Sequence, residues 1–252
     1  MFDAVKEKDG IVEFIRTYFR DNNCKGVVLG VSGGKDSAVV AALMCEALGK
    51  ENVVGLTLPC HSNSLDAEYA RLVADKFEFE LINIDLTDTY DSLVNEISET
   101  SIYREECTTN SNINLKPKLR MATCYYVAAL LTSLRGATYL VSMNGNACEK
   151  FVGYYTKGGD NIGDISPLGE LTVEEVIQIG EVLGVPEKVL YRAPNDGLSG
   201  VTDEEKLGVK YSDIAKVILG QEVDQEIYDR IMRMHNNSLH KLTVPTYHVK
   251  EH

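Results

Sequence analysis

The eight residues Gly30-Val31-Ser32-Gly33-Gly34-Lys35-Asp36-Ser37 combine the types that grip a phosphate chain. Glycines without a Cβ let the backbone approach a ligand closely, and the unpaired amides of a helix start point at an anion. The hydroxyls of Ser32 and Ser37 add donors. Asp36 only accepts hydrogen bonds, so it serves a phosphate through a metal ion or else caps the helix. A plain turn with an N-cap is the alternative that these residues alone leave open. Spacing excludes two other loops. A Walker A loop needs Gly where Leu29 stands and Ser or Thr where Asp36 stands, and a G-x-G-x-x-G fingerprint is also absent. No Ser-His-Asp or Cys-His arrangement in the sequence is persuasive.

Such a loop works where a buried strand gives way to a helix, and the flanking patterns supply both. Residues 25–31 are short, β-branched and almost continuously apolar, as in a strand covered on both faces of a parallel sheet. Residues 38–48 read as a helix closed by Gly49. The unit repeats as strand 53–58, helix 66–77, strand 81–84 and helix 90–99, after an amphipathic helix over 11–20. This alternation predicts an α/β, doubly wound, mostly parallel sheet with helices on both faces. Residues 103–114 are polar and read as a loop or an interface segment, and residues 119–134 as a long apolar helix buried between layers or between subunits. A strand over 138–143 and a Gly-rich segment over 153–169 follow. Thr172-x-x-Glu175 and Thr202-x-x-Glu205 are capping boxes, residues 192–200 read as a loop, residues 228–237 as a helix, and His240-Lys241 as part of an irregular tail.

The chain has 252 residues, with 25 Lys+Arg against 38 Asp+Glu and a formal net charge of −13. Acidity without a basic stripe argues against a general nucleic-acid grip, so phosphate binding has to be local. No apolar run approaches the roughly 18 residues of a membrane span, and the mixed charges of residues 1–9 do not suit a signal peptide. The expected location is the cytoplasm. The six cysteines are scattered without a C-x-x-C pair, which excludes a zinc ribbon and a dithiol redox motif.

The loop resembles the PP-loop Ser-Gly-Gly-x-Asp-Ser of the ATP pyrophosphatases, and the chain as a whole resembles ammonia-dependent NAD synthetase. The resemblance rests on blocks in order: the Asn114–Met121 segment NLKPKLRM, Asn146-x-x-Glu149, Gly153-Tyr154-Tyr155-Thr156-Lys157-x-Gly159-Asp160, Asp164-x-x-Pro167-Leu168, Leu183-Gly184-Val185-Pro186, Asp196-Gly197-Leu198-Ser199-Gly200, Thr202-Asp203-Glu204-Glu205-x-Leu207-Gly208 and His240-Lys241. None is specific by itself; their order and spacing together are. The resemblance implies one adenine nucleotide alpha hydrolase-like domain over residues 1–252. It places ATP on Gly30, Val31, Ser32, Gly33, Gly34, Lys35, Asp36, Ser37, Asn144, Val173 and Asn195, and magnesium on Asp36 and Glu149. Deamido-NAD falls on Lys118, Lys157, Asp164, His240 and Lys241.

Four positions depart from the family pattern. Lys118 stands for an Arg and loses its bidentate fork, and Asn144 and Asn195 stand for threonines that contact ATP. Val173 stands for a Lys that contacts ATP, and Lys35 is the cation available to compensate, unless it faces solvent. The implied reaction activates the nicotinate carboxylate of deamido-NAD as an acyl adenylate, releases pyrophosphate, and lets ammonia displace AMP. The chain has no room for a usual glutamine amidohydrolase domain beside the sheet, so ammonia or a separate donor is expected. A homodimer packed around the 119–134 helix is also implied. Two other readings stay open: another PP-loop ATP pyrophosphatase, and a nucleotide-binding homologue with weakened catalysis.

Overall fold

Alternate residues of the first strand face opposite ways, and each side finds its own apolar cover. The computed structural model describes residues 2–62, 64–192, 202–243 and 245. Helix α1 (Ala4–Asp21) leads into β1 (Cys24–Gly30), followed by α2 (Lys35–Leu48), β2 (Val53–Thr57), α3 (Ser64–Phe77), β3 (Glu80–Asn83) and α4 (Thr87–Ser98). Then come α5 (Thr109–Arg135), β4 (Thr138–Val141), α6 (Ala147–Val152), α7 (Val173–Leu183), α8 (Glu187–Leu190), α9 (Asp203–Leu207), α10 (Tyr211–Ile218) and α11 (Gln225–Leu242). Val27 and Leu29 of β1 pack in a core with α1, α2 and α7, while Val28 packs in a second core with α4 and α5. That two-sided burial is why β1 reads as a continuous apolar run. Helices α6, α9, α10 and α11 close a third, smaller cluster that includes Val173.

All strand pairs are parallel and the order is β3-β2-β1-β4. The chain builds outward from β1 to β3, then returns to lay β4 on the other side of β1. Loops leaving the carboxyl ends of β1 and β4 therefore diverge around a crevice, the place where open α/β sheets receive ligands. Among the described residues, no helix is long and apolar enough to cross a membrane.

Several boundaries differ from the expected ones. Helix α1 starts at Ala4, because the Asp3 side chain accepts from the Lys6 amide at 3.1 Å and caps it. The polar segment 109–114 is helical and continuous with the apolar helix, with Pro117 inside α5. Its polar groups are satisfied within the fold: Thr156 Oγ1 donates to Asn114 Oδ1 at 2.8 Å and Tyr90 Oη to the Asn112 carbonyl at 3.4 Å. Helix α5 is buried on one side only, at Cys124, Ala128 and Leu131, and leaves Tyr126, Leu130 and Leu134 exposed. Helix α11 runs to Leu242, so His240 and Lys241 lie in its last turn and not in an irregular tail. Both threonine capping boxes form as expected. Of the expected loop 192–200, residues 193–200 lie outside the described residues.

Candidate active site

The loop after β1 is tied down by its own hydroxyls. Ser37 Oγ donates to the Gly34 carbonyl at 3.0 Å and accepts from the Ser32 amide at 3.2 Å, while the Gly34 amide donates to Ser32 Oγ at 3.3 Å. Gly33 adopts φ +76°, and a Cβ there would come within 2.5 Å of the Asp66 carbonyl, so only glycine fits. Gly34 is the N-cap of α2 and makes no side-chain cap bond. The leading amides of the helix are thus left for an anion, with the positive end of the helix dipole behind them.

Asp36 does not cap α2. It faces Asn146, which follows β4 across the crevice. The Asn146 Nδ2 donates to Asp36 Oδ1 at 3.3 Å, and the Asn146 amide donates to Glu149 Oε2 at 3.2 Å within a third capping box that starts α6. One fully buried asparagine therefore holds both carboxylates expected to bind metal. Its sequence signal was Asn-x-x-Glu, a capping box with Asn in place of Ser or Thr. Burial first and the Asp36 charge second push the Glu149 carboxyl well above the usual carboxylate range, with Lys35 acting in the opposite sense. Two crowded carboxylates beside a phosphate loop suit a hard divalent cation that completes its shell with phosphate oxygens and water, so the donor set fits magnesium. Among the described residues no cluster of three or more His, Cys, Asp or Glu forms a complete protein cage.

Lys35 is buried, at 7% exposure, which overturns the option that it faces solvent. Its Nζ lies 3.3 Å from Asp36 Oδ2 and 5.9 Å from the centroid of the Tyr211 ring. Val173, where the family pattern has a cation, belongs to the same buried cluster as Tyr211. Asn144 Nδ2 donates to the Gly30 carbonyl at 2.8 Å, bridging the ends of β4 and β1, and its Oδ1 is buried without a partner among the described residues. Two further buried atoms lack partners among the described residues, the hydroxyls of Tyr155 and Tyr211. Buried polar atoms are normally satisfied, so these orphans mark places where a ligand or water completes the structure. Asn195 lies outside the described residues.

A cleft of about 670 Å³ is lined by Lys118, Lys157 and Lys241 together with Asn114, Tyr155 and Thr156. Lys157 Nζ donates to the His240 carbonyl at 2.6 Å, and Lys241 Nζ to the carbonyls of Gly153 and Tyr155 at 2.7 and 2.9 Å. The structure thus brings four of the five residues expected on the dinucleotide into one neighbourhood. Asp164 stands apart from it. Its Oδ2 accepts from the Val141 amide at 2.7 Å and its Oδ1 from Tyr125 Oη at 3.2 Å. Lys118 and Tyr125 are separated by about two turns of α5, roughly 10 Å along the axis.

Sequence reading missed Asn146 as the tether. It also missed Arg120, which donates to the Leu58 carbonyl at 3.0 Å and to Ser62 Oγ at 3.2 Å.

A phosphate-gripping loop at the switch point of a parallel sheet, faced by two tethered carboxylates, defines a nucleotide-binding α/β protein of the PP-loop kind. The family model for NAD synthase matches residues 7–245. A relative from Carboxydothermus hydrogenoformans, named NH(3)-dependent NAD(+) synthetase, is 39% identical over 95% of this chain and 96% of its own length. A solved NMN synthetase from Francisella tularensis superposes with a TM-score of 0.88 at 29% identity, covering 98% of this chain and 99% of that one. An NH3-dependent NAD synthetase from Campylobacter jejuni gives 0.79 at 25% identity, covering 98% and 100%. The chain belongs to the NAD synthase family.

Proposed function

We propose that this chain joins ammonia to the nicotinate carboxylate of deamido-NAD, using ATP and forming AMP and pyrophosphate. The observation that carries the reading is that Asn146 links Asp36, beside the phosphate loop, to Glu149 on the opposite side of the crevice. A carboxylate oxygen of the substrate attacks the α-phosphorus of ATP and pyrophosphate leaves. Ammonia then attacks the acyl carbon of the adenylate, AMP leaves with the carboxylate oxygen, and the nitrogen gives up a proton to form the amide. The chain's part is electrostatic: the first amides of α2 and Lys35 face the phosphates where negative charge gathers on the leaving group, while the Ser37 hydroxyl, whose proton goes to the Gly34 carbonyl, shapes the loop instead of donating to the ligand. Asp36 and Glu149 hold magnesium, which when bound offsets that charge.

The lysine cleft receives the dinucleotide. The dinucleotide would run from Lys118 in the cleft toward Asp164, which accepts from Tyr125 of the same helix as Lys118. The exposed row Tyr126, Leu130 and Leu134 supports a second copy packed on α5. The proposed location is the cytoplasm, where ATP and the dinucleotide are at hand.

The test is product analysis with ATP, magnesium, ammonium and, in parallel, deamido-NAD or nicotinate mononucleotide. The expected result is AMP and pyrophosphate with no ADP, with ammonium sufficient and glutamine dispensable. Deamido-NAD should give the higher kcat/KM. ADP as the dominant product would overturn the reaction. A preference for the mononucleotide would instead place the chain beside its F. tularensis relative, which is described as an NMN synthetase.

A further inference from the structure

A residue outside the recognised blocks holds the phosphate loop from behind. Arg192 follows α8, whose Val189 and Leu190 are buried in the core against α2 and α7, so its backbone is anchored. Its Nη2 pairs with Asp66 Oδ1 at 2.7 Å, and its Nη1 donates to the Gly33 carbonyl at 3.3 Å. The guanidinium carbon lies 4.8 Å from the centroid of the Tyr69 ring. The pair is largely shielded, with 17% of the Arg192 side chain and 25% of the Asp66 side chain exposed.

This arrangement decides which way the loop's peptide groups point. The Gly33–Gly34 peptide is held at both ends, its carbonyl by Arg192 and its amide by Ser32 Oγ. The Gly34 carbonyl is held by Ser37 Oγ. With both carbonyls engaged elsewhere, the groups left toward the crevice are the leading amides of α2. A released Gly33 carbonyl would be free to turn its negative end on the phosphates and take the following amides out of line. Gly33 has no Cβ to resist that turn, so the restraint has to come from a partner. The guanidinium also neutralises Asp66, which would otherwise set an unpaired carboxylate beside the loop in a chain of net charge −13. A planar fork that serves a carboxylate and a carbonyl at once while stacked on an aromatic ring is a task for Arg and not for Lys.

We propose that Arg192, fixed by Asp66 and Tyr69, is a positioning residue for the pyrophosphate grip, holding the Gly33 carbonyl away so that the first amides of α2 face the phosphates. The inference rests on the reading of this loop as the ATP site.

The experiment compares the full-length wild type with Arg192→Gln, Arg192→Lys, Asp66→Asn and the Arg192→Gln/Asp66→Asn pair. The readouts are KM for ATP, KM for deamido-NAD, inhibition by magnesium pyrophosphate and melting temperature. Arg192→Gln should raise KM for ATP and weaken pyrophosphate inhibition by about tenfold, the scale of one charge-assisted hydrogen bond. KM for deamido-NAD should stay within about twofold of wild type. Arg192→Lys should recover part of the loss, and the double variant should be no worse than Arg192→Gln, because Asp66 acts through Arg192. Unchanged ATP and pyrophosphate behaviour in Arg192→Gln would overturn the proposal. So would equal losses toward both substrates with a lowered melting temperature, or additive losses in the double variant. If wild type neither turns over ATP nor is inhibited by pyrophosphate, the ATP reading itself falls and takes this inference with it.

Discussion

At the residue scale, the charges that meet at the crevice explain one another. Asp36 and Glu149 are held close by a single asparagine, and Lys35 is the cation drawn in beside them, 3.3 Å from Asp36. Because Lys35 is buried between Asp36 and the Tyr211 ring, its loss removes a charge that solvent does not replace. Lys35→Gln should therefore raise KM for ATP about fivefold to tenfold and KM for deamido-NAD little. Adding Val173→Lys should recover part of the loss, since Val173 belongs to the cluster that contains Tyr211. An unchanged ATP constant at saturating magnesium and low salt would remove Lys35 from the phosphate site. Glu149 carries a pH signature as well. Its carboxyl is raised in the folded protein, so the fold holds a proton that the unfolded chain has already lost. The metal-free protein should then lose stability as pH rises from the ordinary carboxylate range through the raised value. A divalent cation must expel that proton, so Mn2+ affinity should increase with pH over the same window. Titration of Mn2+ by paramagnetic relaxation at several pH values checks this, and a pH-independent affinity would mean that Glu149 is ionised before the metal arrives.

At the element scale, the Asn146 capping box does two things that separate variants can tell apart. It starts α6, and it aims Glu149 at Asp36. Glu149→Gln keeps an amide oxygen for the cap, so melting should change little while magnesium-dependent turnover collapses. Asn146→Ala removes the side-chain cap and the bond to Asp36, while the backbone amide that holds Glu149 stays. It should cost about 1 kcal/mol of stability, and about 10- to 100-fold in Mn2+ affinity, the range expected when a group orienting metal ligands is lost. Near-normal metal affinity in Asn146→Ala would show that the carboxylates position themselves. The sequence made the strand-turn-helix unit legible because the apolar pattern switches from the continuous run of β1 to the helical spacing of α2 across two glycines. It did not show where α5 begins, because residues 109–114 are poor helix formers whose helicity depends on distant partners at Tyr90 and Thr156. The same holds for α11, whose last turn carries Lys241 bonded to the carbonyls of Gly153 and Tyr155. Within the site, the lysines and carboxylates were legible as charged types in recognisable blocks. Arg192 was not, because its partners Gly33 and Asp66 lie 159 and 126 residues away and no local pattern records the contact.

At the scale of the whole molecule, α5 has one face too many. Cys124, Ala128 and Leu131 fill the core side of the helix, and Tyr126, Leu130 and Leu134 rise on successive turns of the other side, 67%, 51% and 81% exposed. This apolar row, on the outside of a chain that carries 25% charged residues, is the observation on which the proposed subunit contact rests. A second copy meeting the first about a twofold axis would set α5 against α5 and cover both rows at once. The row also adjoins Tyr125, whose hydroxyl donates to Asp164 at 3.2 Å, so the contact and one end of the proposed dinucleotide site share a helix. Leu130, in the middle of the row, is the place to test the idea: Leu130→Asp would bring two carboxylates together near the twofold axis, where burial leaves them unpaired. Wild type should sediment as a dimer at micromolar concentration, and Leu130→Asp as a monomer with unchanged secondary structure. If the pair completes the dinucleotide site, the monomeric variant should show a larger loss in KM for deamido-NAD than for ATP, because the phosphate loop lies at the crevice between β1 and β4 and not on this face of α5. A wild type that stays monomeric at every concentration would reject the pairing. A Leu130→Asp monomer with both constants unchanged would leave the pairing in place and confine the dinucleotide site to one chain.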